Sequence, residues 1–346
     1  MSILSGVSSF FGLDIGATTI SAVELAASGT TKSLVRYTSA PIDLKIVQSD
    51  SKADQDKLAQ AIKDMLSQGG ITNRNVAVGL PSAKVFTTVV DLDRLSPAEL
   101  AKTLKYQADG LIPTSASESK IDWALLGDSP QDPAKVEVLL TSVTNDFVEK
   151  RLDMLESIGL NVIAFEPESL ALSRAMLAPD AALPTMIVNI GSISTDIIVV
   201  MNGAPRLMRA IPTGAQAIVN AAIQNLNIER QQAEQFVFKF GLSQDKLEGQ
   251  IYNAIVPTVD LLISEIDKSI KFFQTRYSGA KLDRIIVTGG ASVLPEFPLY
   301  IANKFGINVE IGNAWRNIAF PAGQENELLA VSNQMGVAVG LAERNE

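Results

Sequence analysis

Two stretches of this chain, far apart in sequence, follow one plan. Leu13-Asp14-Ile15-Gly16-Ala17-Thr18-Thr19 runs into the apolar stretch Ile20–Leu25, and Val188-Asn189-Ile190-Gly191-Ser192-Ile193-Ser194 runs into Asp196–Met201. Each reads as a buried strand, a polar residue, a glycine-bearing turn rich in hydroxyls, and a second strand. Two β-hairpins can match by chance; otherwise the chain folds as two lobes that open with equivalent hairpins. Its 346 residues are more than one hydrophobic core ordinarily serves, which suits two lobes.

The turns carry the chemistry. Glycine lets successive backbone amides aim at an anion because no Cβ blocks the approach. The reading with most content is a pair of phosphate-binding hairpins facing each other across a cleft, formed around Gly16, Thr18 and Thr19 and around Gly191, Ser192 and Ser194. Asp14, just before the first turn, is placed to hold Mg²⁺ through waters, since Mg²⁺ binds few carboxylates and keeps much of its hydration shell. A third segment, Ile285-Ile286-Val287-Thr288-Gly289-Gly290-Ala291-Ser292, is a buried strand ending in a glycine pair, where a flat base can approach the backbone. Taken alone it reads equally well as a plain turn between strand and helix.

Composition narrows the chemistry further. The sequence has no cysteine and no histidine, so thiolate nucleophiles, disulfides, Cys/His zinc sites and Ser–His triads are excluded. Phosphate handling, which rests on positioning and Mg²⁺, remains. A net charge of −9 argues against a nucleic-acid partner. Hydrophobic residues at 47% and charged residues at 19% provide for a sizeable core. Met1–Phe11 lacks the basic start and the apolar length of a secretory signal, and no stretch reaches the ~18 apolar residues of a membrane span. The expectation is a protein that stays inside the cell without inserting into the membrane.

Alternating strands and amphipathic helices predict an α/β fold. Strands are expected at Phe10–Ile15, Ile20–Leu25, Leu34–Thr38 and Val76–Leu80, with a helix over Asp56–Gln68 between the last two. The stretch 82–159 reads as a compact β-α-β-β-α unit. Its first helix opens on Ser96-Pro97-Ala98-Glu99, a capping box with proline in the first turn, and its last covers Asn145–Ser157. Beyond it come the strand Val162–Phe165, a helix starting near Glu166, and a hairpin turned by Asn202-Gly203. The longest helix is expected at Tyr252–Tyr277, and a final one near Leu328–Ala342. The lobes are then 1–81 with 160–183 and 328–346, and 184–327, with 82–159 inserted.

The three glycine segments, in this order, resemble the phosphate-1, phosphate-2 and adenosine motifs of the actin, heat-shock-70 and sugar-kinase superfamily. Tyr106-Gln107-Ala108-Asp109-Gly110-Leu111-Ile112-Pro113, then Ile121-Asp122-Trp123-Ala124-Leu125-Leu126-Gly127, and Phe165-Glu166-Pro167-Glu168-Ser169-Leu170-Ala171-Leu172 resemble the PilM family of type IV pilus assembly proteins. The likeness runs from about Phe11 to the C-terminus.

The resemblance implies a two-lobed actin-like ATPase fold clasping ATP and Mg²⁺, with 82–159 replacing the usual actin subdomain as in the division protein FtsA. It implies a cytoplasmic scaffold, drawn to the inner face of the membrane by the cytoplasmic tail of a PilN-like inner-membrane protein bound in a groove involving the inserted unit. Pilus motor ATPases are further implied partners, and self-association stays open. Carried over residue by residue, Asp14 positions Mg²⁺, and Gly16, Thr18, Thr19, Gly191, Ser192 and Ser194 contact phosphates. Gly289 and Gly290 lie under adenine and ribose, Glu234 contacts ribose, and Gly214 matches the first member of a glycine pair. Glu166 is the candidate for orienting a hydrolytic water, or else an ordinary first-turn carboxylate.

Three positions depart from the family. Asn189 stands where phosphate-2 carries Asp, Ser21 where many relatives place a phosphate-facing Lys, and Val237 where a Lys follows the ribose Glu. They imply retained nucleotide binding with slow hydrolysis at most. Rival readings are a peptide-binding adaptor with an empty cleft, an FtsA-like filament protein, and a small-molecule kinase using Asp196 or Asp122. Both aspartates read better as strand-edge residues, and the tail after Gly336 lacks the apolar surface of a membrane helix.

Overall fold

The computed structural model describes residues 9–28 and 31–345. The reading of Met1–Phe11 therefore falls largely outside the described residues. The chain opens with β1 (Phe11–Ile15), β2 (Thr19–Ser28), β3 (Thr31–Pro41), α1 (Leu44–Gln48), α2 (Lys52–Gln68) and β4 (Asn75–Leu80). There follow β5 (Val85–Asp93), α3 (Pro97–Leu111), β6 (Ser119–Asp128), β7 (Lys135–Thr144) and α4 (Asn145–Ser157), then β8 (Asn161–Pro167) and α5 (Glu168–Met176). The second half holds β9 (Thr185–Ile190), β10 (Thr195–Met201), β11 (Ala204–Ile211), α6 (Ala215–Leu226), α7 (Arg230–Phe240) and α8 (Gln250–Arg276). It ends with β12 (Arg284–Thr288), α9 (Phe297–Phe305), β13 (Asn308–Ile311), β14 (Ile318–Ala319) and α10 (Glu325–Ala342).

The repeat governs the architecture. β1 and β2 form an antiparallel hairpin at the centre of a six-stranded sheet ordered β14-β3-β2-β1-β4-β8. β9 and β10 form its counterpart in a five-stranded sheet ordered β11-β10-β9-β12-β13. In each sheet the first strand of the hairpin also pairs in parallel with a strand arriving from a helix, β1 with β4 and β9 with β12. Asn202 and Gly203 both take positive φ, 53° and 71°, and turn β10 into β11 as an Asn-Gly hairpin should.

Helices α5 and α10 lie between the two sheets. One apolar cluster joins Val23 and Ala77 of the first sheet, Ala171 and Leu172 of α5, Ala338 and Leu341 of α10, and Ile187 and Ile198 of the second. The approach is close because α10 presents glycine: a Cβ on Gly340 would stand 1.8 Å from the Ala171 carbonyl oxygen. The outer face of the first sheet is covered by α2, whose Leu58, Ile62, Met65 and Leu66 are buried. That of the second is covered by α8 through Ile255, Val259, Leu262, Ile266, Ile270 and Phe273.

The inserted stretch forms a separate three-stranded sheet ordered β5-β7-β6, with α3 packed on it through Leu100 and Leu104. Ser96 and Glu99 form the expected capping box, and Pro97 sits in the first turn. α4 covers the expected span, but its Met154 and Leu155 join the cluster of Leu58 and Ile62 on the first sheet. It closes the insertion in chain order while packing on the first sheet's cluster. Among the described residues no helix is long and apolar enough to cross a membrane.

Candidate functional site

The two hairpin turns meet across one cavity of about 660 Å³, a size that suits a cofactor. From the first lobe it is lined by Asp14, Gly16, Thr18, Thr19 and Ser21, and from the second by Asn189, Gly191, Ser192, Ser194 and Asp196. Gly289 and Gly290 close one side, with Glu234 and Phe238 of α7 and with Asn333 and Gln334 of α10. No Lys or Arg lines it among the described residues.

The turns are alike in detail. A Cβ on Gly16 would stand 2.9 Å from the Thr19 carbonyl oxygen, and one on Gly191 would stand 3.1 Å from that of Ser194. The second turn is also pinned to the start of α6: the Ala215 and Gln216 amides donate to the carbonyls of Gly191 and Ser192, each at 2.9 Å. Gly214 does not line the cavity. It lies behind the turn, where a Cβ would come within 2.6 Å of the Gly191 oxygen, so its part is to let α6 support the turn. Gly289, at φ 85°, brings its loop against β9, where a Cβ would meet the Ile190 oxygen at 2.5 Å. Its amide donates to the Asn333 carbonyl at 3.1 Å, which ties the loop to α10.

Besides the exposed Glu234, three carboxylates face this space. Asp14 Oδ1 and Asp196 Oδ1 are shut off from solvent and have no hydrogen-bond partner. Burial, with repulsion from Asp196 added, pushes Asp14 up to about 7. Burial pushes Asp196 up to about 6, with Ser82 and Asn189 pulling the other way. Burial, followed by Asp14 and then Asp196, holds Glu168 well above the usual carboxylate range, against the pull of Arg151. Among the described residues no three acidic groups sit close enough to chelate an ion directly. The donor set instead fits a hydrated Mg²⁺ shared with phosphate oxygens.

Glu166 requires correction. Its carboxylate is buried and bonded to Arg174, and Arg344 Nη1 stands 3.1 Å from its Oε2; it does not line the cavity. The reason is local. Pro167 keeps the preceding residue extended, so β8 runs through Glu166 and α5 begins only at Glu168. The first-turn carboxylate facing the site is therefore Glu168, and the X-Pro rule applied to Glu166-Pro167 would have found it.

Asp196 also differs from expectation. It is a buried residue of the cavity wall, 7% exposed, and no mere strand edge. Asp122 fits the strand-edge reading, exposed on β6. Glu234 lines the cavity from an exposed position and pairs with Arg230 at 3.5 Å. Val237 is buried in the second lobe's core, and the residue that reaches the cavity one turn beyond Glu234 is Phe238. Ser21 is 1% exposed and lies across the strand from Asp14. Asn333 and Gln334 carry no glycine or strand signature and were not legible beforehand.

The sequence pattern of the family described as type IV pilus assembly protein PilM matches residues 12–346. The chain belongs to the PilM family. Among solved structures, this PilM-family chain superposes on a PilM–PilN type IV pilus biogenesis complex with a TM-score of 0.81 at 24% identity, covering 96% of this chain and 97% of that one. MreB5 of Spiroplasma citri bound to AMPPNP matches with a TM-score of 0.56 at 13% identity over 96% and 95% of the two chains. The ethanolamine utilization protein EutJ from Carboxydothermus hydrogenoformans matches with a TM-score of 0.58 at 15% identity, covering 96% and 88%. The fold of this PilM-family protein is the actin-like ATPase fold.

Proposed function

We propose that this PilM-family protein is an ATP-binding scaffold of the type IV pilus machinery that takes the cytoplasmic tail of a PilN-like inner-membrane protein. One observation carries the nucleotide half: the Gly16 and Gly191 turns, one from each lobe, open into a single cavity. Their amides and hydroxyls are arranged for phosphates, and the Gly289-Gly290 loop leaves room for a base. That MreB5 of Spiroplasma citri was solved with AMPPNP supports the same choice of ligand.

Bound Mg²⁺ would neutralise the phosphate oxygens and fix their geometry. Asp14 would hold such an ion, Thr18, Thr19, Ser192 and Ser194 would donate to phosphate oxygens, and Phe238 with Glu234 would flank the base and ribose. Hydrolysis is slow in this reading. Glu166 is engaged with Arg174 and Arg344, and among the described residues no Lys or Arg reaches the cavity to stabilise developing charge.

The partner half rests on the inserted unit. A groove of about 370 Å³ runs between its edge strand β5 and the β11–α8 face of the second lobe, with Arg209, Lys268 and the exposed Phe272 along it. An extended tail with apolar and acidic residues fits such a groove, adding main-chain hydrogen bonds at a sheet edge. The PilM of the matching structure was solved in complex with PilN, which is the reason to name the partner's class.

Fluorescence anisotropy with a labelled tail peptide tests the partner half on the full chain, and a phosphate-release assay with ATP and Mg²⁺ tests the nucleotide half. The reading expects saturable peptide binding that Phe272→Ala weakens, and ATP turnover below ~1 s⁻¹, the low end of ordinary enzyme rates. Turnover well above that overturns the slow hydrolysis, and a peptide that never saturates overturns the partner half.

A further inference from the structure

The two hairpins differ in one respect that the repeat makes visible. In the first, Asp14 on β1 lies directly across from Ser21 on β2. In the second, the equivalent pair is Asn189 on β9 and Asp196 on β10. Each lobe thus contributes one aspartate beside its glycine turn, but the second lobe carries it on the opposite strand. The amide of Asn189 explains why the exchange is tolerated. Its Nδ2 lies 3.4 Å from Asp196 Oδ2, and a donor there holds the carboxylate that a second aspartate would repel.

We propose that Asp196 is the second lobe's metal-directing carboxylate, and that Asp14 and Asp196 together hold one hydrated divalent cation across the cleft when a nucleoside triphosphate is bound. The assignment rests on the nucleotide reading given above and adds the residue that completes its metal site.

Charge and burial carry it. Asp196 is 7% exposed, lines the cavity, and keeps Oδ1 without a partner, as Asp14 does. A buried, unpaired carboxylate oxygen is costly unless something arrives to satisfy it. The turns beside these oxygens suit an anion, so an arriving polyphosphate meets Asp14, Asp196 and Glu168 with no lining Lys or Arg among the described residues to offset them. A cation resolves that conflict. A hard ion that keeps its waters and takes one or two carboxylates plus phosphate oxygens suits two aspartates that stand on opposite walls. The same ion links the lobes, because each lobe supplies one of its acceptors.

The test is Mn²⁺ binding by electron paramagnetic resonance, with a non-hydrolysable ATP analogue and the full chain. Asp196→Asn should lower Mn²⁺ affinity about 10-fold or more, in the range that outer-sphere partners of a metal command. Analogue affinity in EDTA should stay equal or tighten, since a repelling charge has gone. The exchanged variant Asn189→Asp with Asp196→Asn, which restores the first lobe's arrangement, should recover most of the lost Mn²⁺ affinity. Unchanged Mn²⁺ affinity in Asp196→Asn, or loss of analogue binding in EDTA equal to the loss with metal, overturns the assignment. A wild-type chain that binds no analogue with or without metal overturns the nucleotide reading beneath it, and the assignment falls with that.

Discussion

Arg206 of β11 donates from Nη1 to Oε2 of Glu137 on β7 at 2.7 Å, and both side chains are buried. The other carboxylate oxygen of Glu137 accepts from Tyr277 Oη at 2.7 Å and from Arg276 Nη2 at 2.9 Å. Arg276 Nη2 also reaches Asp91 of β5 at 3.0 Å. The chain enters and leaves the inserted unit from the first lobe, yet these bonds fasten it to the second. Whatever separates the lobes must therefore strain this junction or carry the inserted sheet along.

Glu137→Ala takes the carboxylate from the buried Arg206 and the shared acceptor from the partly buried Arg276 and from Tyr277. Removing one partner of a buried pair costs about 3–5 kcal/mol. Urea unfolding should show a lower midpoint for the inserted unit and the second lobe. A change under ~1 kcal/mol, the usual worth of an exposed pair, would mean that the junction is solvated in solution.

Glycine-to-alanine changes in two helices should have opposite signs. At Gly340 the added methyl would sit 1.8 Å from a carbonyl oxygen of α5, so α10 must move away from α5. Overpacking of this kind costs about 1–3 kcal/mol or more. At Gly110 in α3 nothing lies within 4 Å of the added Cβ, and alanine should stabilise by about 0.5–1 kcal/mol. Thermal midpoints of the two variants check this directly.

Glu166 and Glu168 are two residues apart and should separate cleanly. Glu166→Gln weakens the ion pairs of a buried carboxylate with the partly exposed Arg174 and Arg344, so stability should fall while nucleotide affinity holds. Glu168→Gln removes a charge facing the cavity, so metal-dependent nucleotide affinity should change while the fold stands. Calorimetric titration beside thermal unfolding reads both effects, and a reversed pattern would return the catalytic candidacy to Glu166.

Burial pushes Glu343 from 4.5 up to about 7, only partly offset by Asn317, Arg174 and Lys32. Between those values the folded chain holds a proton that the unfolded chain has released. Stability from this group is thus full at low pH and is lost as pH rises towards 7. Asp14 and Asp196 act in the same direction. Without nucleotide, the unfolding midpoint should be lower at pH 8 than at pH 5.5, and Glu343→Gln should reduce that difference. An equal slope in the variant would remove Glu343 from the account.

The legible parts of this molecule are those where local chemistry decides. The Asn202-Gly203 turn, the Ser96–Glu99 box and the apolar stripe of α8 each follow from spacing or from one residue's backbone preference, and the structure holds all three. The paired turns were readable because glycine and hydroxyls recur at one offset from an apolar strand. Asn333 and Gln334 were not, because they enter the site only once α10 has docked between the sheets, a fact of packing. Asp196 was visible in sequence but misread, because its meaning depends on strand register: opposite Asn189 it faces the cleft. Glu166 failed on a rule that was at hand, the extended backbone before Pro167.

The central claim is that the Gly16 and Gly191 turns grip a triphosphate between the lobes. Its most direct measurement is the thermal unfolding midpoint of the full chain with Mg²⁺, titrated separately with ATP and with adenosine. The account predicts a midpoint that climbs with the logarithm of ATP concentration, worth about 2.7 kcal/mol at a hundredfold excess over the dissociation constant, with a much smaller response to adenosine. A midpoint that does not move at millimolar ATP, or that moves equally with adenosine, contradicts it.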